Sequence, residues 1–533
     1  MKIQVYDTTL RDGAQGFGIS FTRNDKLNII SALDELGVDY IEAGNFAIDE
    51  DMKIFEACDG IKLKNARLVA FGSTCRPGTK AADDPLLHRI TETAVEDICV
   101  FGKSRLLHVE EILRTTPDEN LRIIYDTISF LKSRGKRVIF DAEQFFDGYS
   151  DDPPYAVNVL RTAREAGADS IVLCDTNGAM LPDVIGMVCS HIHRMMPDVN
   201  LGIHCHNDLG MAVACTLEAV ISGVSQIHVT VSGIGERCGN TNLNTIVPLL
   251  QLKMGYNVIP PENLRNLTQT ARYVNEIANN AFDESEPFVG GSAFTHKAGM
   301  HVDAVNKNPA SFEHTEPESV GNERNILISA LSGKSAVHSK MLGILPGITK
   351  DSPLVAAGTQ RIKQLEAQGY RFEDAEASLS LRLREIIYPE QGDDLGGFFK
   401  LMSFNVMISE SKSEIKPVCS AVVKIKVGDS EEITAAEGQG PVNALDLALR
   451  KALSRFYPKI SQIRLCDYKV RVLDSGSENT ASKVLVRVST TDNKSVWRTV
   501  GVSPDIIDAS WQALSDSMIY FLEKEKASAG AGK

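Results

Sequence analysis

Residues 3–13 read Ile-Gln-Val-Tyr-Asp-Thr-Thr-Leu-Arg-Asp-Gly, and this stretch separates two possible folds. It begins with a short apolar run, Ile3–Tyr6, and then turns polar. An open, doubly wound nucleotide-binding sheet has a glycine-rich loop at this point, whereas Thr9–Gly13 places the charged residues Arg11 and Asp12 there. The rival arrangement of parallel strands is a closed (β/α)8 barrel, which carries its functional residues at the strand ends. The stretch therefore favours the barrel.

Seven further apolar runs follow at fairly regular spacing, and a helical pattern follows each of them. These runs are residues 40–42, 68–71, 98–101, 138–140, 171–173, 201–204 and 227–231. Short runs without polar alternation are typical of parallel strands that are covered on both faces, and eight strands close a barrel. In the first helical segment, Thr22 and Asp25 predict a capping box and Gly37 predicts the helix end. The fold class predicted is α/β, with a TIM barrel first.

The length of 533 residues exceeds what one core usually supports, so further domains are expected. Residues 256–392 have a mainly helical pattern, and residues 393–397 are predicted to form a linker. Beyond it, alternating apolar residues around 404–408 and 423–427 precede a helical pattern at Val442–Phe456. Three further strand patterns and a helix over Asp505–Glu523 complete an α+β module. The predicted domains are a catalytic barrel at 1–255, helical connector subdomains at 256–392 and a C-terminal α+β domain at 398–525.

Composition excludes several classes of protein. The net charge of −14 and the absence of a basic patch argue against nucleic-acid binding. Ten cysteines are scattered without a CxxC pair, as in proteins of a reducing compartment. No signal peptide and no run long enough to cross a bilayer are visible. We therefore expect a cytoplasmic protein with no membrane or nucleic-acid partner.

Two histidines mark the end of the seventh predicted strand. His204 and His206 point to the same side of a strand, so both imidazoles can reach one ion. An isolated pair with this spacing is more often two hydrogen-bonded histidines without a metal. Here, however, Asp12 lies across the barrel mouth and Asn240 lies beyond the eighth strand. Two nitrogens, a carboxylate and an amide oxygen form a mixed site that suits Zn²⁺, Mn²⁺, Mg²⁺ or Co²⁺.

Three other polar residues at strand ends have competing interpretations. Arg11 beside Asp12 could form a surface ion pair, but at the barrel mouth it could stabilise an oxyanion. Glu143 follows an apolar strand, where a buried charge is costly unless it is paired, so a functional role is favoured. Thr176 could cap a turn before Gly178 or bind substrate, and the spacing does not separate these alternatives. We expect Glu236 and Arg237 to form a structural ion pair.

Three motifs in barrel order resemble a known enzyme family. They are Asp7-Thr-Thr-Leu-Arg-Asp-Gly-Ala-Gln15, His204-Cys-His-Asn-Asp208 and Gly233-Ile-Gly-Glu-Arg-Cys-Gly-Asn240. This set is similar to the metal-dependent acyltransferases and lyases that include the 2-isopropylmalate, citramalate and homocitrate synthases. Segments such as Phe101–Ser104 and Phe140–Tyr149 look most like the citramalate synthase branch. The stretch Gly44–Ala47 departs from the Gly-Trp-Pro-like pattern of relatives, so the 2-oxo acid stays open between pyruvate and 2-oxoisovalerate.

The resemblance implies a role for each matching residue. The implied metal ligands are Asp12, His204, His206 and Asn240; the implied catalytic residues are Arg11, Glu143 and His301; and the implied substrate contacts are Arg11, Gln15, Glu143 and Thr176. His301 ends a stretch, Phe294–His301, that resembles the segment after the barrel in relatives. There it assists proton transfer, and in relatives this segment covers the neighbouring subunit. Phe312 stands where relatives often have tyrosine, so no tyrosine role carries over.

The resemblance also implies a reaction and its regulation. The expected reaction is a Claisen condensation of acetyl-CoA with pyruvate and water, giving (R)-citramalate and CoA as the first step of a route to isoleucine. The alternatives are a 2-isopropylmalate synthase, which would use 2-oxoisovalerate, a homocitrate synthase, and a metal-dependent lyase or aldolase of the same superfamily. The C-terminal domain resembles the allosteric domain of these synthases. It implies a homodimer inhibited by an end-product amino acid, expected to be isoleucine, although a purely dimerising module remains the alternative.

Overall fold

The computed structural model describes residues 2–57, 62–297, 299–326, 334–373, 375–389, 397–409, 418–473, 482–492 and 495–530. The chain forms two compact units. Unit 1 comprises Met1–Phe294 and His314–Arg324, and unit 2 comprises Thr295–Glu313 and Asn325–Lys533. Residues 393–396 of the predicted linker lie outside the described residues.

Unit 1 is a closed barrel of eight parallel strands in sequential order. The strands are β1 (Gln4–Asp7), β2 (Tyr40–Asn45), β3 (Arg67–Ser73), β4 (Asp97–Lys103), β5 (Arg137–Glu143), β6 (Ser170–Asp175), β7 (Leu201–Cys205) and β8 (Gln226–Val229). The barrel closes where β1 pairs with β8, with Val5 opposite Ile227. All eight predicted strands are present, so the predicted fold class is confirmed. Several strands extend one to three residues beyond their predicted ends, because polar residues at strand termini still pair in the ladder.

Helices surround this barrel. They are α1 (Arg23–Leu36), α2 (Asp49–Ala57), α3 (Pro85–Thr91), α4 (Pro117–Ser133), α5 (Phe145–Asp151), α6 (Pro153–Glu165), α7 (Pro182–Met195), α8 (Ala212–Ile221), α9 (Leu243–Pro248) and α10 (Leu267–Ile277). The predicted capping box of α1 is present, since the side chain of Thr22 accepts from the amide of Asp25 and the Asp25 side chain accepts from the amide of Thr22. Gly37 ends α1 in the left-handed conformation (φ 93°), which a glycine adopts without steric cost.

Unit 1 extends past residue 255, where the sequence suggested a domain boundary. The segment that follows β8 packs into the barrel's own core through Leu267, Val274, Phe288 and Val289. Burial of these apolar side chains against the barrel helices joins the segment to unit 1. The three-part division of the chain into 1–255, 256–392 and 398–525 stays a proposal.

Unit 2 begins with four helices and two very short strands. The helices are α11 (Gly299–Lys307), α12 (Lys334–Ile344), α13 (Pro353–Ala367) and α14 (Glu376–Ile387), and the strands are β9 (Thr295–His296) and β10 (Asn325–Ile326). One apolar core holds Val302 of α11, Val337 of α12 and Leu379 of α14, and it also includes Val500 and Val502 from the C-terminal part of the chain. The helical connector is therefore packed on the C-terminal module.

The C-terminal module consists of two antiparallel three-stranded sheets, each followed by a helix. Its elements are β11 (Lys400–Ser409), β12 (Val418–Val427), β13 (Ser430–Gly438), α15 (Pro441–Ser454), β14 (Arg464–Val472), β15 (Val484–Thr491), β16 (Val496–Ser503) and α16 (Ile506–Gly530). The sequence pattern missed β13, because this strand is mostly polar and only Thr434 in it is buried. The α+β character of the module is as predicted.

In the described part of the chain, no helix combines the length and hydropathy needed to cross a bilayer. The nine cysteines within this part are all free thiols, and seven of them are buried. This arrangement agrees with the expectation of unpaired thiols.

Candidate metal centre at the barrel mouth

Four residues that the sequence singled out meet at the carboxyl ends of the strands. Asp12 follows β1, His204 lies in β7 and His206 directly follows it, and Asn240 lies in the loop after β8. The Asp12 Oδ2 atom lies 3.4 Å from His204 Nε2 and 3.8 Å from His206 Nε2. The two Nε2 atoms are 3.4 Å apart. Asn240 Nδ2 donates to Asp12 Oδ1 at 3.1 Å, so all four side chains share one small volume.

The arrangement of donors fits a divalent cation. The buried Asn240 Oδ1 atom has no hydrogen-bond partner among the described residues, nor have the buried Nδ1 atoms of His204 and His206. Within the described part of the chain, Asp12, His204 and His206 form one group of buried potential ligands whose atoms lie within 4.8 Å of one another. Two imidazole nitrogens that face each other beside a carboxylate are stabilised when a cation lies between them.

Backbone geometry sets the loop that carries Asn240. The loop turns back at Gly239, whose φ is 83°. A Cβ atom at Gly239 would lie 1.9 Å from the carbonyl oxygen of Gly233, so only glycine fits. The amide of Asn207 donates to the Gly239 carbonyl at 2.9 Å, and Asn240 forms an antiparallel bridge with His206. The loop is thereby joined to the end of β7.

The protonation states of these groups favour ligation. Burial alone would raise the pKa of Asp12, but the Arg11 guanidinium and the two histidines outweigh it and hold that pKa well below its usual range. Burial, aided by neighbouring His204, lowers the pKa of His206 to about 4. Near neutral pH, Asp12 is therefore an anion and His206 is neutral with a lone pair to offer.

Arg11 lies beside this cluster in a tight enclosure. Its Nε donates to Glu42 Oε1 at 2.5 Å and its Nη1 to Asp12 Oδ2 at 3.3 Å. The guanidinium carbon lies 3.8 Å from the centre of the Phe71 ring. Glu42 is fully buried and also accepts from the Tyr6 hydroxyl at 2.5 Å. These contacts fix the guanidinium plane and leave Nη2 as the donor that a bound anion can use.

The other predicted site residues of unit 1 lie on neighbouring strand ends. Lys103 Nζ, at the end of β4, pairs with Glu143 Oε2, at the end of β5, at 2.5 Å. Thr176 accepts the amide of Gln144 on its hydroxyl oxygen at 2.8 Å, so its own O–H proton can point to a ligand. Gln15 lies exposed in the loop after β1, and it makes no side-chain hydrogen bond to the described residues.

His301 belongs to unit 2, where it lies in α11. Its imidazole is exposed and stacks on Phe312, with the ring centres 4.2 Å apart. The role predicted for His301 stays a prediction.

Two features of the site were not recognised from the sequence. The first is the chain of contacts Tyr6–Glu42–Arg11, and the second is the pairing of Lys103 with Glu143. The sequence did show that Glu42 and Lys103 lie at strand ends. That position alone does not show which residue either of them pairs with. The predicted pair of Glu236 and Arg237 is weak at 3.7 Å, because Arg237 instead makes two hydrogen bonds of 2.9 Å to Asp208.

Comparison with known proteins accounts for almost the whole chain. The family model described as HMGL-like matches residues 2–274, the homocitrate synthase post-HMGL domain-like model matches residues 288–370, and the LeuA allosteric (dimerisation) domain model matches residues 380–522. The (R)-citramalate synthase of Aquifex aeolicus is 45% identical over 98% of this chain and 98% of its own length. The chain belongs to the (R)-citramalate synthase family. The family member from Geobacter sulfurreducens is 43% identical over 100% of this chain and 99% of its own length.

A relative from another branch of the superfamily is similar over a smaller part of the chain. A homocitrate synthase from Methanopyrus kandleri is 36% identical over 72% of this chain and 92% of its own length. The match to the (R)-citramalate synthase family extends over both units, and it therefore includes the connector and the C-terminal module.

Proposed function

We propose that this protein is a citramalate synthase that condenses acetyl-CoA with pyruvate and water to give (R)-citramalate and CoA. The observation that carries the proposal is the identity of 43–45% to five (R)-citramalate synthases, over 97–100% of this chain. The side chains at the barrel mouth supply the chemical groups that such a condensation requires.

The metal ligands in this proposal are Asp12, His204, His206 and Asn240. A divalent ion bound there, Mn²⁺, Mg²⁺, Zn²⁺ or Co²⁺, would polarise the keto carbonyl of the 2-oxo acid. The ligand set of two nitrogens and two oxygens suits several of these ions.

The proposal gives a role to several further side chains. Glu143 and His301 are the two candidates for the base that removes a methyl proton from acetyl-CoA. Glu143 keeps one carboxylate oxygen away from Lys103, since the ion pair uses Oε2. The resulting enolate carbon bonds to the keto carbon of pyruvate, and the negative charge moves to the former keto oxygen. In this proposal Arg11 stabilises the oxyanion through Nη2, and Thr176 and Gln15 bind the substrates.

Hydrolysis completes the reaction. A water molecule attacks the thioester carbonyl of the citramalyl-CoA, the C–S bond breaks, and CoA leaves as its thiol. The release of a free thiol makes the overall reaction measurable with a thiol reagent.

The C-terminal module supports a proposal of feedback regulation. A cavity of about 490 Å³ in this module combines apolar and charged side chains. Its lining residues are Val442, Asn443, Asp446, Arg450, Ser461, Ile463, Arg464, Leu465 and Tyr468. Asp446 and Arg450 pair at 2.7 Å, and Asp446 Oδ1 and Arg450 Nη2 have no hydrogen-bond partner within the described residues. An apolar amino acid carries a matching ammonium, carboxylate and side chain, so isoleucine is the proposed effector.

A homodimer is part of the same proposal, because the LeuA domain model that matches residues 380–522 describes a dimerisation domain. Exposed apolar side chains in the loops at the barrel mouth, among them Phe17, Ile112 and Leu209, provide a surface that a second subunit could cover. In such a dimer His301 could serve the partner's barrel. A cytoplasmic location completes the proposal, in keeping with the free thiols.

The test is the release of free thiol from acetyl-CoA in the presence of Mn²⁺ or Mg²⁺, with pyruvate, 2-oxoisovalerate and 2-oxoglutarate offered in parallel. We expect release with pyruvate and inhibition of that release by isoleucine, but not by leucine. A preference for 2-oxoisovalerate would make the enzyme a 2-isopropylmalate synthase with the same site. Absence of release with all three acids would leave the lyase as the better proposal.

A further inference from the structure

A buried carboxylate lies outside the group of side chains described above. Glu286, in the segment that follows α10, has a relative exposure of only 5%. Its Oε1 accepts from the amide groups of Asn242 at 2.7 Å and Asn244 at 2.8 Å, and its Oε2 accepts from the hydroxyl of Ser232 at 3.1 Å. All three donors are uncharged side chains.

Ser232 is the second centre of this network. Its hydroxyl donates to Glu286 and accepts from Asn244 Nδ2 at 3.0 Å and from Asn275 Nδ2 at 2.7 Å. The residue has a left-handed backbone with φ of 53°, which is unusual for serine and costs conformational energy. The hydrogen bonds of the hydroxyl compensate for part of this cost.

The partners of Glu286 lie at the two ends of one loop. Ser232 is near the start of the loop after β8, and Asn242 and Asn244 are at its end, where α9 begins. Asn240 lies between them, and its amide donates to the carbonyl of Gly233 at 3.0 Å. One carboxylate thus joins both ends of the loop that presents Asn240 to the barrel mouth.

We propose that Glu286 is a positioning residue of the metal centre, which fixes the Asn240 loop by accepting hydrogen bonds from both of its ends. This inference rests on the proposed metal site. Burial of a carboxylate without a cation is costly, yet a carboxylate is the group whose two oxygens accept from three converging donors at once. A glutamine in its place would turn an N–H group toward at least one of these donors. The loop would then shift, and the Asn240 oxygen would leave its position.

The experiment measures Mn²⁺ binding by isothermal titration calorimetry on the full-length protein and on Glu286→Gln. Residues that orient metal ligands typically contribute roughly 10- to 100-fold to metal affinity, and we expect Kd to rise within that range. A matched control is available in Asp34→Asn. Asp34 has a relative exposure of 5% and also accepts from three neutral donors, the amides of Lys64, Asn65 and Ala66.

Asp34 lies at the end of α1 and holds the segment that leads into β3, at the opposite face of the barrel. Both substitutions remove one acceptor from a buried carboxylate, so both are expected to lower thermal stability. Only Glu286→Gln is expected to weaken Mn²⁺ binding. Equal Kd values for the two variants would overturn the proposal, because the role of Glu286 would then be structural alone.

A second variant keeps the test decisive if Glu286→Gln does not fold. Ser232→Ala removes one donor to Glu286 and the acceptor that Asn244 and Asn275 share, and we expect a several-fold rise in the Kd for Mn²⁺. An unchanged Kd in Ser232→Ala would contradict the inference. Failure of the unmutated protein to bind Mn²⁺, Mg²⁺, Zn²⁺ or Co²⁺ is a different result, which would overturn the proposed metal site itself.

Discussion

The two faces of the barrel differ in the pairing of their buried carboxylates, Asp34 and Asp97 at the amino-terminal face and Asp141 at the carboxyl-terminal face. At the amino-terminal face, Asp97 accepts from Arg137 on both of its carboxylate oxygens, at 2.8 and 2.6 Å. Asp34 on the same face accepts three backbone amides. At the carboxyl-terminal face, by contrast, buried atoms of Asp141, His204 and Asn240 have no hydrogen-bond partner among the described residues.

This difference separates stability from function. A paired buried group contributes to the free energy of unfolding, or at least does not reduce it, whereas an unpartnered one reduces it. The paired carboxylates of the amino-terminal face therefore stabilise the barrel. The carboxyl-terminal face keeps donors and acceptors that a ligand can use, at a cost in stability. Substitutions at the amino-terminal face should therefore lower the free energy of unfolding. Substitutions at the carboxyl-terminal face should instead lower catalytic activity or metal affinity.

The largest effect is expected for His204→Ala, at the carboxyl-terminal face. Removal of an outer partner of a metal ligand costs roughly 10- to 100-fold, so the loss of a ligand itself should lower thiol release by more than about 100-fold. A matched variant, Asp97→Asn, should lower thermal stability without this loss of activity, since Asp97 lies at the opposite face. Residual activity above a few per cent would show that His204 does not hold the ion.

The second-largest loss of activity is expected for Arg11→Lys. A lysine cannot contact Glu42, Asp12 and an oxyanion at the same time, since it lacks the planar fork of the guanidinium. Loss of one oxyanion donor typically lowers kcat by roughly 10²- to 10³-fold, and we expect that decrease in steady-state assays. A change confined to the KM for pyruvate would assign Arg11 to substrate binding alone.

Asp97→Asn tests the amino-terminal face. Breaking a buried ion pair by removing one partner costs roughly 3–5 kcal/mol. Because the Arg137 side chain is 35% exposed, solvent screens this pair, and we expect a smaller loss in the free energy of unfolding, of about 2 kcal/mol. Urea denaturation measures this loss. The Kd for Mn²⁺ should stay unchanged, and a weakened Mn²⁺ affinity would contradict the separation of the two faces.

The last prediction concerns pH and Asp141. Burial raises the pKa of Asp141 from 3.8 to about 7. Between these values the folded protein binds more protons than the unfolded chain, so the free energy of unfolding falls as pH rises toward 7. With EDTA present, the urea midpoint of Asp141→Asn should fall less between about pH 5 and about pH 8 than that of the unmutated protein. Parallel pH profiles would show that Asp141 is not responsible.

Much of the fold could be predicted because local pattern and global architecture agree. The apolar runs marked all eight barrel strands, and Thr22, Asp25 and Gly37 marked the limits of α1. The sequence pattern did not predict β13, because this strand lacks alternating apolar residues and only its Thr434 is buried. The packing of Phe288 against the barrel is a long-range contact, which local patterns in the sequence do not reveal.

The sequence predicted which residues form the candidate site, but it did not predict which side chains contact one another. Position at strand ends was enough to bring Asp12, His204, His206 and Asn240 together. A position at a strand end does not show which residue a charged side chain pairs with. The pairing of Lys103 with Glu143, for example, depends on the register between β4 and β5. Glu286 lies more than 40 residues beyond Asn240, and its contacts arise only from the tertiary fold.

One measurement tests the central claim most directly. The purified protein with Mn²⁺ is given [2-¹³C]pyruvate and acetyl-CoA, and the product is identified by ¹³C NMR. The account predicts that the label moves from a keto carbon to a quaternary carbon bearing a hydroxyl, as in citramalate, and that one thiol is released per product. The same sample of His204→Ala should leave the pyruvate signal unchanged. Label that stays in pyruvate with the unmutated protein, under each of the four metal ions, would contradict the account.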